Sequence, residues 1–180
     1  MFHFNIITNL VKRYALVAAI AALAGCGAAQ DNTTTTATTT TAANAASSIN
    51  GESIIRGDAS NWLSNGRTYD EQRHSPLDQI NLDNVDDLSL AWYWNTGTKR
   101  GLEATPIVVD GIMFTSGAWS MVWAHDAKTG ELLWEFDPQV DRAWARYACC
   151  DVVNRGVAAW KGTISIGTID GRLIALDAGT

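Results

Sequence analysis

Shifted by 51 residues, the C-terminal part of this 180-residue chain overlays itself without a gap. Gly111 falls on Gly162, Met113 on Ile164 and Val122 on Leu173. Ala124-His125-Asp126-Ala127 falls on Ala175-Leu176-Asp177-Ala178, and Thr129 falls on Thr180. Other pairs, such as Ile112 on Thr163 and Phe114 on Ser165, differ in character. The unit is short strands and turns. Ile107-Val108-Val109, the turn Asp110-Gly111 and Ile112-Met113-Phe114-Thr115 read as a hairpin, because Asp-Gly supplies the positive φ that a two-residue turn needs. Met121-Val122-Trp123-Ala124 and Leu132-Leu133-Trp134-Glu135-Phe136 flank a second turn at Lys128-Thr129-Gly130. No stretch after Asn61 sustains helical periodicity, so the fold class is all-β. About four strands per unit is the size of a propeller blade.

The first third of the chain is different material, since all eight tryptophans lie at Trp62 or later. Lys12-Arg13 precedes an apolar run from Tyr14 to Gly25. A spanning helix needs roughly 20 apolar residues, whereas an export signal needs about 7–15 and a small-residue cleavage site. Residues 1–25 therefore read as a leader. Leu23-Ala24-Gly25-Cys26 resembles the bacterial lipobox, in which the cysteine is lipidated and becomes the mature N-terminus. Gly27 follows where an aspartate would retain the protein at the inner membrane, so the expected location is periplasmic, anchored by lipid to the outer membrane. Loss of Lys12 and Arg13 takes the net charge from −6 to −8. Residues 26–50 are rich in Thr and Ala and hold no aromatic residue. They read as a disordered tether that cannot repay its ordering entropy.

Charge and motif spacing exclude several functions. With 13 Lys+Arg against 19 Asp+Glu there is no basic face for nucleic acid. No glycine-rich phosphate loop and no Cys-x-x-Cys-His haem attachment occur. His3, His74 and His125 show no ligand spacing; His125 is expected to be solvated at the start of a turn, and His74 to pack. Export would place the remaining cysteines, Cys149-Cys150, in an oxidising compartment. Adjacent Cα atoms lie about 3.8 Å apart, below the ~4.4–6.8 Å of ordinary disulfides. The pair is therefore either a strained vicinal bridge or two free thiols.

Ala124-His125-Asp126-Ala127-Lys128-Thr129-Gly130-Glu131-Leu132-Leu133-Trp134 resembles the tryptophan-docking motif of quinoprotein β-propellers. Asp126 and Thr129 can cap a tight turn, Gly130 can take positive φ, and Trp134 can stack between blades. Ala145-Arg146-Tyr147-Ala148-Cys149-Cys150-Asp151-Val152-Val153-Asn154-Arg155-Gly156-Val157-Ala158 resembles the vicinal-disulfide segment of pyrroloquinoline-quinone (PQQ) alcohol dehydrogenases. Gly101-Leu102-Glu103-Ala104-Thr105-Pro106 and the strand after it resemble their first cofactor-contact strand, and Trp62–Tyr69 with Leu88–Trp92 resemble their opening segment. Within that family the residue types favour the ethanol-oxidising, quinohaemoprotein-like branch.

The resemblance implies an eight-bladed propeller in the parent protein, of which residues 51–180 hold about two blades and part of a third. The second docking motif stops at Ala178-Gly179-Thr180, so a truncated and by itself inactive piece is expected. It implies that Glu103 hydrogen-bonds the PQQ, that a Cys149–Cys150 disulfide lies against one face of it, and that Arg155 stands beside its reactive edge. It also implies a catalytic Asp base and calcium ligands beyond Thr180, oxidation of a primary alcohol to the aldehyde, and a cytochrome or quinone as electron acceptor. Asp151 belongs to the cysteine segment and is not that base. Quinoprotein-like propellers also serve as outer-membrane assembly scaffolds without a cofactor. Such a scaffold has no reason to carry Glu103, Cys149-Cys150 and Arg155.

Overall fold

The computed structural model describes Asn44 and residues 46–179. The leader, the lipobox with Cys26 and most of the tether lie outside the described residues. The repeat governs the architecture. A four-stranded antiparallel sheet is built from β1 (Ile107–Val109), β2 (Ile112–Ser116), β3 (Val122–Asp126) and β4 (Leu132–Phe136), in that spatial order. A second sheet holds β5 (Ala158–Trp160), β6 (Thr163–Gly167) and β7 (Leu173–Asp177), again in sequence order. Each strand of the second sheet begins and ends 51 residues after its counterpart. The hairpins repeat too. Asp110-Gly111 and Lys161-Gly162 all have positive φ, as a two-residue turn matched to strand twist demands. Ala127 N–H donates to Gly111 O at 2.8 Å, and Ala178 N–H to Gly162 O at 2.9 Å. The chain belongs to the all-β class that the patterning indicated.

The docking motif behaves as its residues suggest. Asp126 Oδ1 accepts from Thr129 N at 2.7 Å, Thr129 Oγ1 at 2.9 Å and Lys128 N at 2.9 Å. Those bonds from Thr129 hold the Asp126 carboxyl below its usual range. Gly130 has φ 76°, and a Cβ there would sit 2.5 Å from the Trp92 ring. Glycine is thus required twice, by the turn and by the tryptophan lying on it. Trp134 on β4 donates from Nε1 to Ala178 O at 3.0 Å and so ties the first sheet to the turn after β7.

One apolar cluster runs through both sheets, with Phe114, Val122, Ile164 and Ile166 at its centre. It also takes in Ala46 and Ile49, both essentially buried. The tether expected to extend to residue 50 therefore ends earlier. Lys161 N donates to Ile49 O, and Gly162 N to Ala46 O, so this stretch lines the β5–β6 turn. Its apolar residues are small and widely spaced, and only the tertiary neighbours reveal them as core. A short helix, α1 (Gly51–Arg56), follows, closed by a reciprocal Asn50–Ser53 capping box and by Gly57 in the left-handed region.

Both histidine expectations in this region are corrected. His125 lies inside β3 and is 1% exposed. Trp92 and Trp94 cover it, at ring distances of 6.0 and 5.0 Å. The strand runs further than its apolar run because Ile112 pairs with Asp126 in the ladder. His74, expected to pack, is exposed in a segment without strands.

Candidate functional site

The repeat also explains how the site residues meet. Glu103 and Thr105 lie in the segment leading into β1, and Asn154, Arg155 and Gly156 lie in the segment leading into β5. Neighbouring blades thus bring equivalent approaches side by side. Arg155 Nη2 stands 3.2 Å from Glu103 Oε2, with side chains 79% and 40% exposed. An exposed pair of this kind contributes only about 0–1 kcal/mol. The fold does not depend on it, and both groups remain available to a ligand.

The pair borders a cleft of about 760 Å³, also lined by Asn65, Arg73, Thr105 and Ser165. That volume lies in the range of about 300–1,000 Å³ typical of small-molecule sites. Two arginines against one glutamate give the cleft a positive lining within a chain of net charge −6. The cysteines lie beside it and do not line it. Cys149 and Cys150 are both exposed thiols, so the bridge implied by the resemblance is not formed here. The adjacent Cys149 raises the pKa of the Cys150 thiol, and Glu103 adds to this while Arg155 opposes it. Cys150 therefore shares the field of the ion pair.

The loop carrying the cysteines is held at Asp151 and at Val152. Arg100 forms an ion pair with Asp151. Trp119 donates from its backbone N–H to Val152 O at 2.9 Å. The Arg100 and Arg142 guanidiniums lie over the Trp119 ring at 5.2 and 4.2 Å. Asp151 is therefore a structural partner of Arg100. Sequence reasoning did not find Arg100, Arg73, Asn65 or Asn154. Arg100 meets a partner 51 residues away, Asn154 bonds to Ser116 and Ser120 38 and 34 residues away, Asn65 and Arg73 come from loops without periodicity, and only Asn154 had a local signal in its place next to Arg155.

The donor set fits PQQ, a planar ortho-quinone bearing carboxylates. Arg73 and Arg155 match its anionic groups, Glu103 matches a hydrogen-bond donor, and Asn65 and Thr105 add neutral polar groups. No group of three or more His, Cys, Asp or Glu converges among the described residues.

Residues 62–180 match the family model described as the glucose/ethanol/alcohol dehydrogenase, β-propeller domain of PQQ proteins. A quinohemoprotein alcohol dehydrogenase of Pseudomonas putida is 57% identical over 134 residues, 73% of this chain and 19% of that protein. The crystal structure of quinohemoprotein alcohol dehydrogenase from Comamonas testosteroni superposes with a TM-score of 0.74 at 54% identity, covering 77% of this chain and 21% of that one. A europium-containing methanol dehydrogenase superposes with a TM-score of 0.67 at 39% identity, covering 72% and 23%. The chain spans about a fifth of the length of these relatives. With matched repeats, docking turns and a cleft at the blade junction, the chain belongs to the PQQ β-propeller family of glucose, ethanol and alcohol dehydrogenases.

Proposed function

We propose that this chain is the N-terminal part of a periplasmic, lipid-anchored, PQQ- and calcium-dependent alcohol dehydrogenase that passes electrons from a primary alcohol to a cytochrome or quinone. The observation that carries the reading is the Glu103–Arg155 pair at the rim of the cleft, with the Cys149–Cys150 loop beside it. PQQ, when bound, supplies the quinone that accepts the electrons of the alcohol. Arg155 provides a fixed positive charge where negative charge accumulates on oxygen, which stabilises that charge without reorganisation. Glu103 accepts a hydrogen bond and, through its ion pair, holds the guanidinium at the rim. Cys149 and Cys150, on the loop beside the cleft, would be joined under oxidising conditions and lie against one face of bound PQQ. The general base and the calcium ligands belong to residues outside this chain, and residues 1–180 alone do not turn over alcohol. Nothing in the relatives above favours the scaffold alternative.

The test uses the complete protein that contains this chain, freed of PQQ and reconstituted with PQQ and calcium. Oxidation of a primary alcohol by a dye acceptor is followed, and Cys149→Ser with Cys150→Ser is expected to lower turnover. Unchanged turnover in that double variant overturns the role given to the pair. No turnover with any primary alcohol overturns the activity. Cys26→Ser should move the protein from the membrane to the soluble periplasmic fraction, and an unchanged distribution refutes the anchor.

A further inference from the structure

Among the described residues the ion-pair partner of Arg155 is Glu103, and its side chain is largely exposed. So exposed a side chain takes its direction largely from its backbone. The residue before it is fixed far more firmly. Asn154 Oδ1 accepts from Ser116 Oγ at 2.6 Å and from Gly156 N at 3.0 Å. Its Nδ2 donates to Gly167 O at 2.9 Å and to Ser120 Oγ at 3.4 Å. Ser116 ends β2 and Gly167 ends β6, so one amide spans equivalent strand ends of two sheets. Ser116 and Ser120 are each 1% exposed, which keeps the bonds to them away from competing water, whereas the bond to Gly167 lies at the surface. On the other side of Arg155, Gly156 has φ 135°, and a Cβ there would approach Thr105 O to 3.3 Å. The backbone is therefore constrained on both sides of Arg155, and only its χ angles remain free.

We propose that Asn154 is a positioning residue: by clamping β2 to β6 it fixes the backbone from which Arg155 reaches Glu103 and the cofactor cleft. The inference rests on the cofactor reading above and adds to it the device that sets Arg155. An asparagine suits the task because its amide both accepts and donates, and both strand ends present groups of the required sense. The shorter serine could satisfy one side at most, and alanine neither.

A double-mutant cycle on the complete protein tests it. PQQ is titrated into the apo-protein with calcium present, tryptophan quenching gives the dissociation constant, and circular dichroism checks folding. Loss of the clamp frees Arg155, and Asn154→Ala should weaken PQQ binding about tenfold, the scale of one or two hydrogen bonds. Ser116→Ala, which removes only one bond, should weaken it by about threefold. In an Arg155→Ala background neither change should weaken it further by more than about twofold, because the residue through which they act is gone. A merely structural role predicts losses that multiply, and that outcome overturns the proposal. Should Asn154→Ala fail to fold, the Ser116→Ala and Arg155→Ala cycle decides by the same criterion. If Arg155→Ala weakens binding while the Asn154 and Ser116 variants do not, the positioning role fails and the cofactor reading stands. If Arg155→Ala leaves binding unchanged, both fail.

Discussion

Trp134 offers a measure of how strongly one blade holds the next. Its ring packs on Phe114 at 5.9 Å, and its Nε1 donates across the junction to Ala178 O at 3.0 Å. Ala178 is fully buried. Trp134→Phe keeps an aromatic ring and removes the donor, leaving a carbonyl without its partner. The loss should be about 1–2 kcal/mol, one net hydrogen bond plus part of the desolvation cost. Trp134→Ala removes the ring as well. Because the ring is only half-buried, the cost should fall at the lower end for such truncations, about 3 kcal/mol. Urea denaturation of the complete protein, followed by far-ultraviolet circular dichroism, measures both. A Trp134→Phe loss under about 0.5 kcal/mol beside a large Trp134→Ala loss would show that the cross-blade bond contributes nothing. A Trp134→Ala loss under about 1 kcal/mol would refute docking altogether.

Two further outcomes follow from local geometry. Hydrogen bonds from Arg172 and Thr168 lower the Asp170 pKa from its ordinary 3.8 to about 2. Its contribution is therefore complete above the unfolded value and disappears as the pH falls through about 2, so Asp170→Asn should flatten the acid limb of a stability–pH curve between those values; an unaltered limb refutes this. Gly130→Ala places a methyl group against Trp92 in a left-handed turn and should cost about 1–3 kcal/mol, with a red-shifted tryptophan emission marking the displaced ring; a neutral result would refute the close packing.

The strands of the first sheet, the Asp110-Gly111 hairpin and the docking turn were legible because each has a local cause: apolar β-rich runs, an Asp-Gly pair, an Asx-type cap; the second hairpin was signalled only by Gly162 falling on Gly111. His125 was misread because its environment is not local. The residues that bury it, Trp92 and Trp94, lie some thirty positions upstream in a segment without strand periodicity. Ala46 and Ile49 were hidden for the same reason. Nothing around them marks a core, and they become one only where the β5–β6 turn closes on them. In the site, Glu103 and Arg155 were identified through a resemblance, since a lone charge carries no spacing signal. Their meeting at 3.2 Å is a product of the repeat, and Asn154 needed the structure to show its partners.

The mismatches in the self-overlay then acquire meaning. Where the two units agree, at Gly111 and Gly162 or Ala127 and Ala178, the shared residues make the same turn and the same hydrogen bond. Where they disagree near the first strand of each sheet, the difference is chemical. Glu103 corresponds to Asn154 and Ala104 to Arg155, so one blade offers a carboxylate where the next offers a clamp and a cation. Phe114, fully buried, corresponds to Ser165, which lines the cleft. In the segments leading into β1 and β5 a repeat protein can vary residues cheaply, because the strand ladders and docking turns that stabilise each unit do not pass through them, while Phe114 and Ser165 keep equivalent ladder places and differ only in side chain. The site is therefore built at the junction between blades from the positions at which consecutive repeats are free to differ.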